Sequence, residues 1–124
     1  MARILLVDDD PEIRSLTRRI LENNGYKVSV VVDGKECIDV LEKDRPDLIL
    51  LDVMMPGLDG WEVCMKIKGS AKTRDIPVVM FTVRTSEDSV EKSLNYARAD
   101  AQINKPFKMK KLLDTVDRLL KTSK

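Results

Sequence analysis

A chain of 124 residues suits one globular domain and leaves little room for a second. Hydrophobic residues make up 43%, enough for a core, and 22 basic against 21 acidic side chains leave a formal charge of +1, without the basic excess of a nucleic-acid binder. There is no histidine to serve as general base or metal ligand, and no apolar run approaches the roughly 20 residues that span a bilayer. A cytoplasmic protein without membrane or direct nucleic-acid contact is therefore expected.

The first element is Ile4-Leu5-Leu6-Val7, a short continuous apolar run of the kind a strand buried on both faces shows. Asp10-Pro11 then reads as an N-cap followed by proline at the first helical position. Ile13, Leu16, Ile20 and Leu21 supply one helical stripe, and Asn24-Gly25 ends it. Val28–Val32 is the second strand. Asp33-Gly34 turns the chain into a helix marked by Cys37, Ile38 and Leu41, which Arg45-Pro46 stops. Leu48-Ile49-Leu50-Leu51 is a third buried strand, and Asp59-Gly60 opens a helix carrying Trp61, Val63, Cys64 and Ile67. Pro77 precedes a fourth strand, Val78-Val79-Met80-Phe81. Ser86-Glu87 opens a fourth helix marked by Val90, Leu94 and Ala97, Ala101-Gln102-Ile103 is a weak fifth strand, and Met109, Leu112, Leu113, Val116, Leu119 and Leu120 mark the last helix. Cys37 and Cys64 have no metal-ligand or redox spacing and are expected to be small buried hydrophobes.

Strict strand–helix alternation implies an α/β fold with a parallel sheet covered on both faces. The doubly wound, flavodoxin-like strand order 2-1-3-4-5 is the expected solution, and in such sheets ligands sit at the carboxyl ends of the strands. There the chain places Asp8-Asp9-Asp10 after strand one, Asp52 after strand three, Thr82 after strand four and Lys105 after strand five. Each alone has an ordinary explanation: Asp10 as a helix cap, Asp8 or Asp9 as a solvated loop acid, Asp52 as a turn residue, Thr82 as a strand end, Lys105 as a surface cation. Together they form one crevice. Strands one and three are neighbours, so Asp8, Asp9 and Asp52 converge and repel unless a cation sits among them. Oxygen ligands with room for water suit magnesium, and a hydroxyl and an ammonium on the same rim suit a phosphoryl group.

The runs Ile4 to Glu12, Asp47 to Gly60, Val79 to Thr82 and Asn104 to Phe107 resemble the receiver domain of two-component response regulators, of the chemotaxis-regulator type, over essentially the whole chain, 1–124. The resemblance implies a phosphoacceptor switch in a phosphorelay rather than an enzyme in the usual sense. Asp52 would take a phosphoryl group from a sensor histidine kinase or histidine phosphotransfer protein. Asp8, Asp9, Asp52 and the backbone carbonyl of Met54 would hold Mg2+. Thr82 would be the switch hydroxyl and Lys105 the phosphate-binding lysine. Output would pass through the face of the fourth helix, fifth strand and last helix, to an unknown protein target or to a second copy.

Three positions depart from the family pattern. Gln102 stands where an aromatic residue is usual, Arg98 replaces the glycine of Gly-Ala-Asp, and Val83 follows the switch threonine in place of a small alanine. Gln102 cannot supply an aromatic rotor, so output is expected through Val83-Arg84-Thr85 and the fourth helix. Met54 and Arg84 flank the approach to Asp52, where their bulk is expected to hinder hydrolytic water and slow self-dephosphorylation. The output face carries Glu87, Asp88, Glu91 and Asp100 beside Lys92, Arg98, Lys110 and Lys111, which suits charge-paired docking. Three rival readings fit the residues less well. A haloacid-dehalogenase-type phosphatase would leave Asp52 without a role. A flavodoxin is opposed by three aspartates where phosphate would bind. A phosphorylation-independent module on the same fold is opposed by the intact acidic, hydroxyl and lysine set.

Overall fold

The computed structural model describes residues 2–53, 57, 59–82, 98–104 and 107–122. Within them run β1 (Arg3–Val7), α1 (Pro11–Asn23), β2 (Lys27–Val31), α2 (Gly34–Lys43), β3 (Leu48–Asp52), α3 (Gly60–Gly69), β4 (Val78–Thr82), β5 (Ala101–Asn104) and a C-terminal helix, Met109–Thr122. The expected fourth helix, together with Met54, Val83, Arg84 and Lys105, lies outside the described residues. The strands form one parallel sheet in the order β2-β1-β3-β4-β5, as expected. β3 and β4 each run one residue further than their apolar runs, which brings Asp52 and Thr82 into the sheet itself.

The central strands are buried almost throughout because helices cover both faces. Alternation along each strand divides their side chains between two cores. Leu5, Val7, Ile49, Leu51, Val78 and Met80 pack with Cys37 and Leu41 of α2 and Trp61, Cys64 and Ile67 of α3. Ile4, Leu6, Leu48, Leu50, Val79, Phe81 and Ile103 pack with Leu21 of α1 and Leu112, Val116 and Leu119 of the C-terminal helix. Both cysteines are buried, and burial pushes their thiols up to about 12, so they are protonated and inert at neutral pH.

Each of the first three helices starts on an aspartate cap just beyond a strand. Asp10 accepts from the amides of Glu12 (3.0 Å) and Ile13 (3.4 Å), Asp33 from Glu36 (2.9 Å) and Asp59 from Glu62 (2.9 Å). The stripe of α1 is rotated from the expected one: Leu16 is 47% exposed while Thr17 is fully buried, because i, i+4 and i+8 from Ile13 lead to Thr17 and Leu21. At the end of α1, Gly25 takes φ +92°, open to glycine without strain. Arg98 also has a positive φ, +60°, which explains why a glycine suits that position better.

Asp100, on the expected output face, is exposed and also engaged within the fold. Its Oδ2 accepts from Lys68 Nζ (2.8 Å) and from the amide of Val78 (2.8 Å), and Lys68, 10% exposed, also donates to the carbonyls of Ile76 (2.8 Å) and Arg74 (3.2 Å). This carboxylate ties α3 to the start of β4 and to the residue before β5. No helix among the described residues is long and apolar enough to cross a membrane.

Candidate functional site

β1 delivers its acidic residues at the carboxyl edge. The amide of Asp8 continues the ladder by donating to the Val31 carbonyl (3.3 Å), and its side chain is fully buried. Asp8 Oδ1 accepts from the amide of Asp10 (2.9 Å), which shapes the turn into α1. Asp9 is exposed at the rim of the crevice, and Asp10 is a helix cap, so of the three consecutive aspartates only the first two reach the crevice.

β3 brings Asp52 to the neighbouring position, 5% exposed. The chain is held just beyond it: the Val53 amide donates to the Phe81 carbonyl (2.9 Å), and the Gly60 amide donates to the Val53 carbonyl (2.9 Å). A Cβ on Gly60 would stand 2.3 Å from the Asp52 carbonyl oxygen and 2.7 Å from Val53 Cα. Asp59-Gly60 therefore does more than open a helix; glycine lets α3 press against the strand end that carries Asp52. Nothing in the sequence marks that contact, since Asp-Gly is also an ordinary turn signal.

Carboxylate oxygens of Asp8, Asp9 and Asp52 all lie within 4.8 Å of one another. Two of the three residues are buried, where like charges repel strongly. A divalent cation with a preference for hard oxygen donors is the chemistry that relieves such a set, so these residues fit Mg2+. Thr82, fully buried, ends β4; Asp52 pairs with Phe81, which places Thr82 one residue beyond it in the next strand. Thr82 pairs in turn with Asn104, the residue before Lys105. Gln102 is half-buried, its Nε2 donating to Asn104 Oδ1 (3.2 Å) while its Oε1 is buried without a hydrogen-bond partner.

The sheet order, the acidic triad at the carboxyl edge and the hydroxyl one strand away define a phosphoacceptor switch on a flavodoxin-like fold. The chain matches the response regulator receiver domain family over residues 4–117, and it belongs to that family. This is a family of signalling domains of two-component systems, not of classical enzymes. It is 43% identical over 122 residues to the response regulator MprA of Mycobacterium tuberculosis, covering 98% of this chain and 52% of that protein. The chain thus spans about half the length of such curated relatives. Among solved structures it resembles the signal receiver domain of a signal transduction histidine kinase from Syntrophus aciditrophicus, with a TM-score of 0.91, 39% identity, and coverage of 98% of this chain and 91% of that one. It also resembles the receiver domain of sensor histidine kinase PA1611 from Pseudomonas aeruginosa PAO1, with a TM-score of 0.90, 30% identity and 98% of each chain covered. That structure holds a magnesium ion coordinated in its active-site cleft.

Proposed function

We propose that this receiver domain, read as one unit over 1–124, takes a phosphoryl group on Asp52 from a phosphohistidine of a sensor histidine kinase or histidine phosphotransfer protein. The observation that carries the assignment is the meeting of Asp8, Asp9 and Asp52 within 4.8 Å at the carboxyl ends of β1 and β3. A carboxylate oxygen of Asp52 attacks phosphorus in line as the nitrogen–phosphorus bond breaks, and the bonding pair returns to the imidazole. The product is an acyl phosphate. Asp8, Asp9 and Asp52, with the Met54 carbonyl, would hold Mg2+, which when bound supplies positive charge against the negative charge on the transferring group. Lys105 offers an ammonium to the same oxygens.

The modified Asp52 carries about two negative charges and three acceptor oxygens, so the Thr82 hydroxyl is drawn toward it as a donor. A bias of a few kcal/mol on a pre-existing equilibrium is sufficient for a switch. Val83 and Arg84 follow Thr82 directly, and Gln102 lies two pairing steps before Asn104, so these three residues are the modulators of output. The output is docking on a protein target or a second copy, without direct nucleic-acid contact by this domain. The test is incubation with acetyl phosphate and Mg2+, read by intact mass. Wild type gains one phosphoryl group and Asp52→Asn gains none; uptake that persists in Asp52→Asn overturns the assignment.

A further inference from the structure

The β1–α1 turn carries a guanidinium that the phosphoacceptor chemistry leaves unassigned. Arg14, half-buried in the first turns of α1, sends Nη1 back to the carbonyl oxygen of Asp8 at 3.1 Å. Its own amide donates to the carbonyl of Asp10 at 2.9 Å, so one residue bonds to both sides of the turn. The Asp8 carbonyl belongs to the peptide plane joining Asp8 to Asp9, and that plane is rigid. Holding its oxygen fixes the direction in which Asp9 leaves the chain. On the other side, Asp8 is held by its amide on Val31 and by its Oδ1 on the amide of Asp10.

We infer that Arg14 is a positioning residue for the divalent-cation site, clamping the Asp8–Asp9 peptide so that both carboxylates are presented together toward Asp52. The inference rests on the phosphoacceptor assignment above. Arginine suits the task because it is always charged and its planar fork gives up little freedom per hydrogen bond. Groups that orient metal ligands from behind typically change metal affinity about 10- to 100-fold when removed.

Charge and position make opposite predictions, which allows a clean test. Removing a cation beside a divalent-ion site tightens Mg2+ binding by Coulomb's law alone. Removing a clamp weakens it. Mg2+ is titrated into wild type, Arg14→Gln, Arg14→Lys and Arg18→Gln, with Trp61 fluorescence and thermal shift as readouts. Trp61, the single tryptophan, is buried next to Gly60, which abuts the Asp52 carbonyl. Arg18 lies on the same helix in an exposed pair with Glu22 (3.3 Å) and serves as the charge control.

Arg14→Gln is expected to weaken Mg2+ about tenfold, and Arg14→Lys, which keeps a donor, to stay within about threefold of wild type. Arg18→Gln is expected to bind as wild type does or slightly more tightly. Equal or tighter binding by Arg14→Gln overturns the clamp, as does equal weakening by Arg18→Gln. If Arg14→Gln does not fold, the Arg14→Lys comparison decides: weakening as large as tenfold with the charge retained overturns the rescue expected of a donor. Wild type that fails to bind Mg2+ overturns both this inference and the assignment beneath it, whereas wild type that binds beside an unaffected Arg14→Gln overturns the inference alone.

Discussion

At the amino ends of the strands, aspartates are met by donors from the chain itself. Arg3 gives its guanidinium to Asp44 (2.7 Å) and its amide to Asp47 (2.7 Å), Lys68 and the Val78 amide share Asp100 (2.8 Å each), and the Tyr26 hydroxyl donates to Asp117. At the carboxyl ends, Asp8, Asp9 and Asp52 bring carboxylate oxygens within 4.8 Å of one another, while Asp8 also accepts from the amide of Asp10. The same residue type stabilises one end of the sheet and loads the other with repulsion. Charge settled within the fold supports structure; carboxylates gathered this closely attract a cation, and that end is where the chemistry belongs.

The largest effect should come from supplying a divalent cation at the carboxyl end. Mg2+ at about 100 times its dissociation constant stabilises a folded state that alone binds it by about 2.7 kcal/mol. Thermal unfolding with and without millimolar Mg2+ measures this, and samples chelated free of divalent cations give the baseline. An unchanged melting temperature would break the comparison at its most important point.

Removal of an aspartate charge should then have opposite signs at the two ends. Asp100→Ala leaves Lys68, 10% exposed, with two carbonyl acceptors but no counter-charge, and leaves the Val78 amide without its acceptor. A loss of about 2 kcal/mol is expected. Asp9→Asn removes one of three mutually repelling charges at about 5 Å, and without Mg2+ it should raise stability by about 1 kcal/mol. The Mg2+-dependent gain should shrink in the same variant. Urea unfolding of both proteins in chelator is the measurement; destabilisation by Asp9→Asn would show that its carboxylate is already satisfied by the fold.

Much of this was legible beforehand, and the reasons are local. Ile4–Val7, Leu48–Leu51 and Val78–Phe81 are too uniformly apolar for surface strands, and each of Asp10, Asp33 and Asp59 sits where a helix must be capped. Strand ends in a doubly wound sheet then put Asp8, Asp9, Asp52 and Thr82 together without further information. What escaped depends on partners distant in sequence or on backbone angle. Asp100 is a surface charge, and its tie to Lys68, 32 residues away, is invisible until the fold brings them together. Leu16 and Thr17 differ by one step of helix phase, and hydrophobicity alone picks the wrong one. Arg98 looked unusual only by comparison with a glycine, and its φ of +60° supplies the physical reason. Relief of that strain gives the next prediction: Arg98→Gly should stabilise by about 1 kcal/mol, less the entropy glycine loses on folding, as a shift in urea midpoint without a change in slope.

The smallest effect belongs to the most exposed pair at the amino end. Arg3 holds the Asp44 carboxyl below its ordinary range, first through the hydrogen bond from its guanidinium, and both side chains are about half exposed. A carboxyl whose folded pKa is depressed contributes stability above its unfolded pKa of about 4, and that contribution fades as pH falls through the folded value. Asp44→Asn should therefore lower the melting temperature slightly near neutral pH and low salt. The deficit should vanish as pH falls well below about 4, and it should shrink in about 1 M salt, where the screening length is near 3 Å. Asp100→Ala, whose lost contacts include a backbone amide and a nearly buried ammonium, should keep most of its deficit in high salt. If the two variants respond alike to salt, then exposure does not separate these pairs, and the amino end is held by general charge balance rather than by specific buried ties.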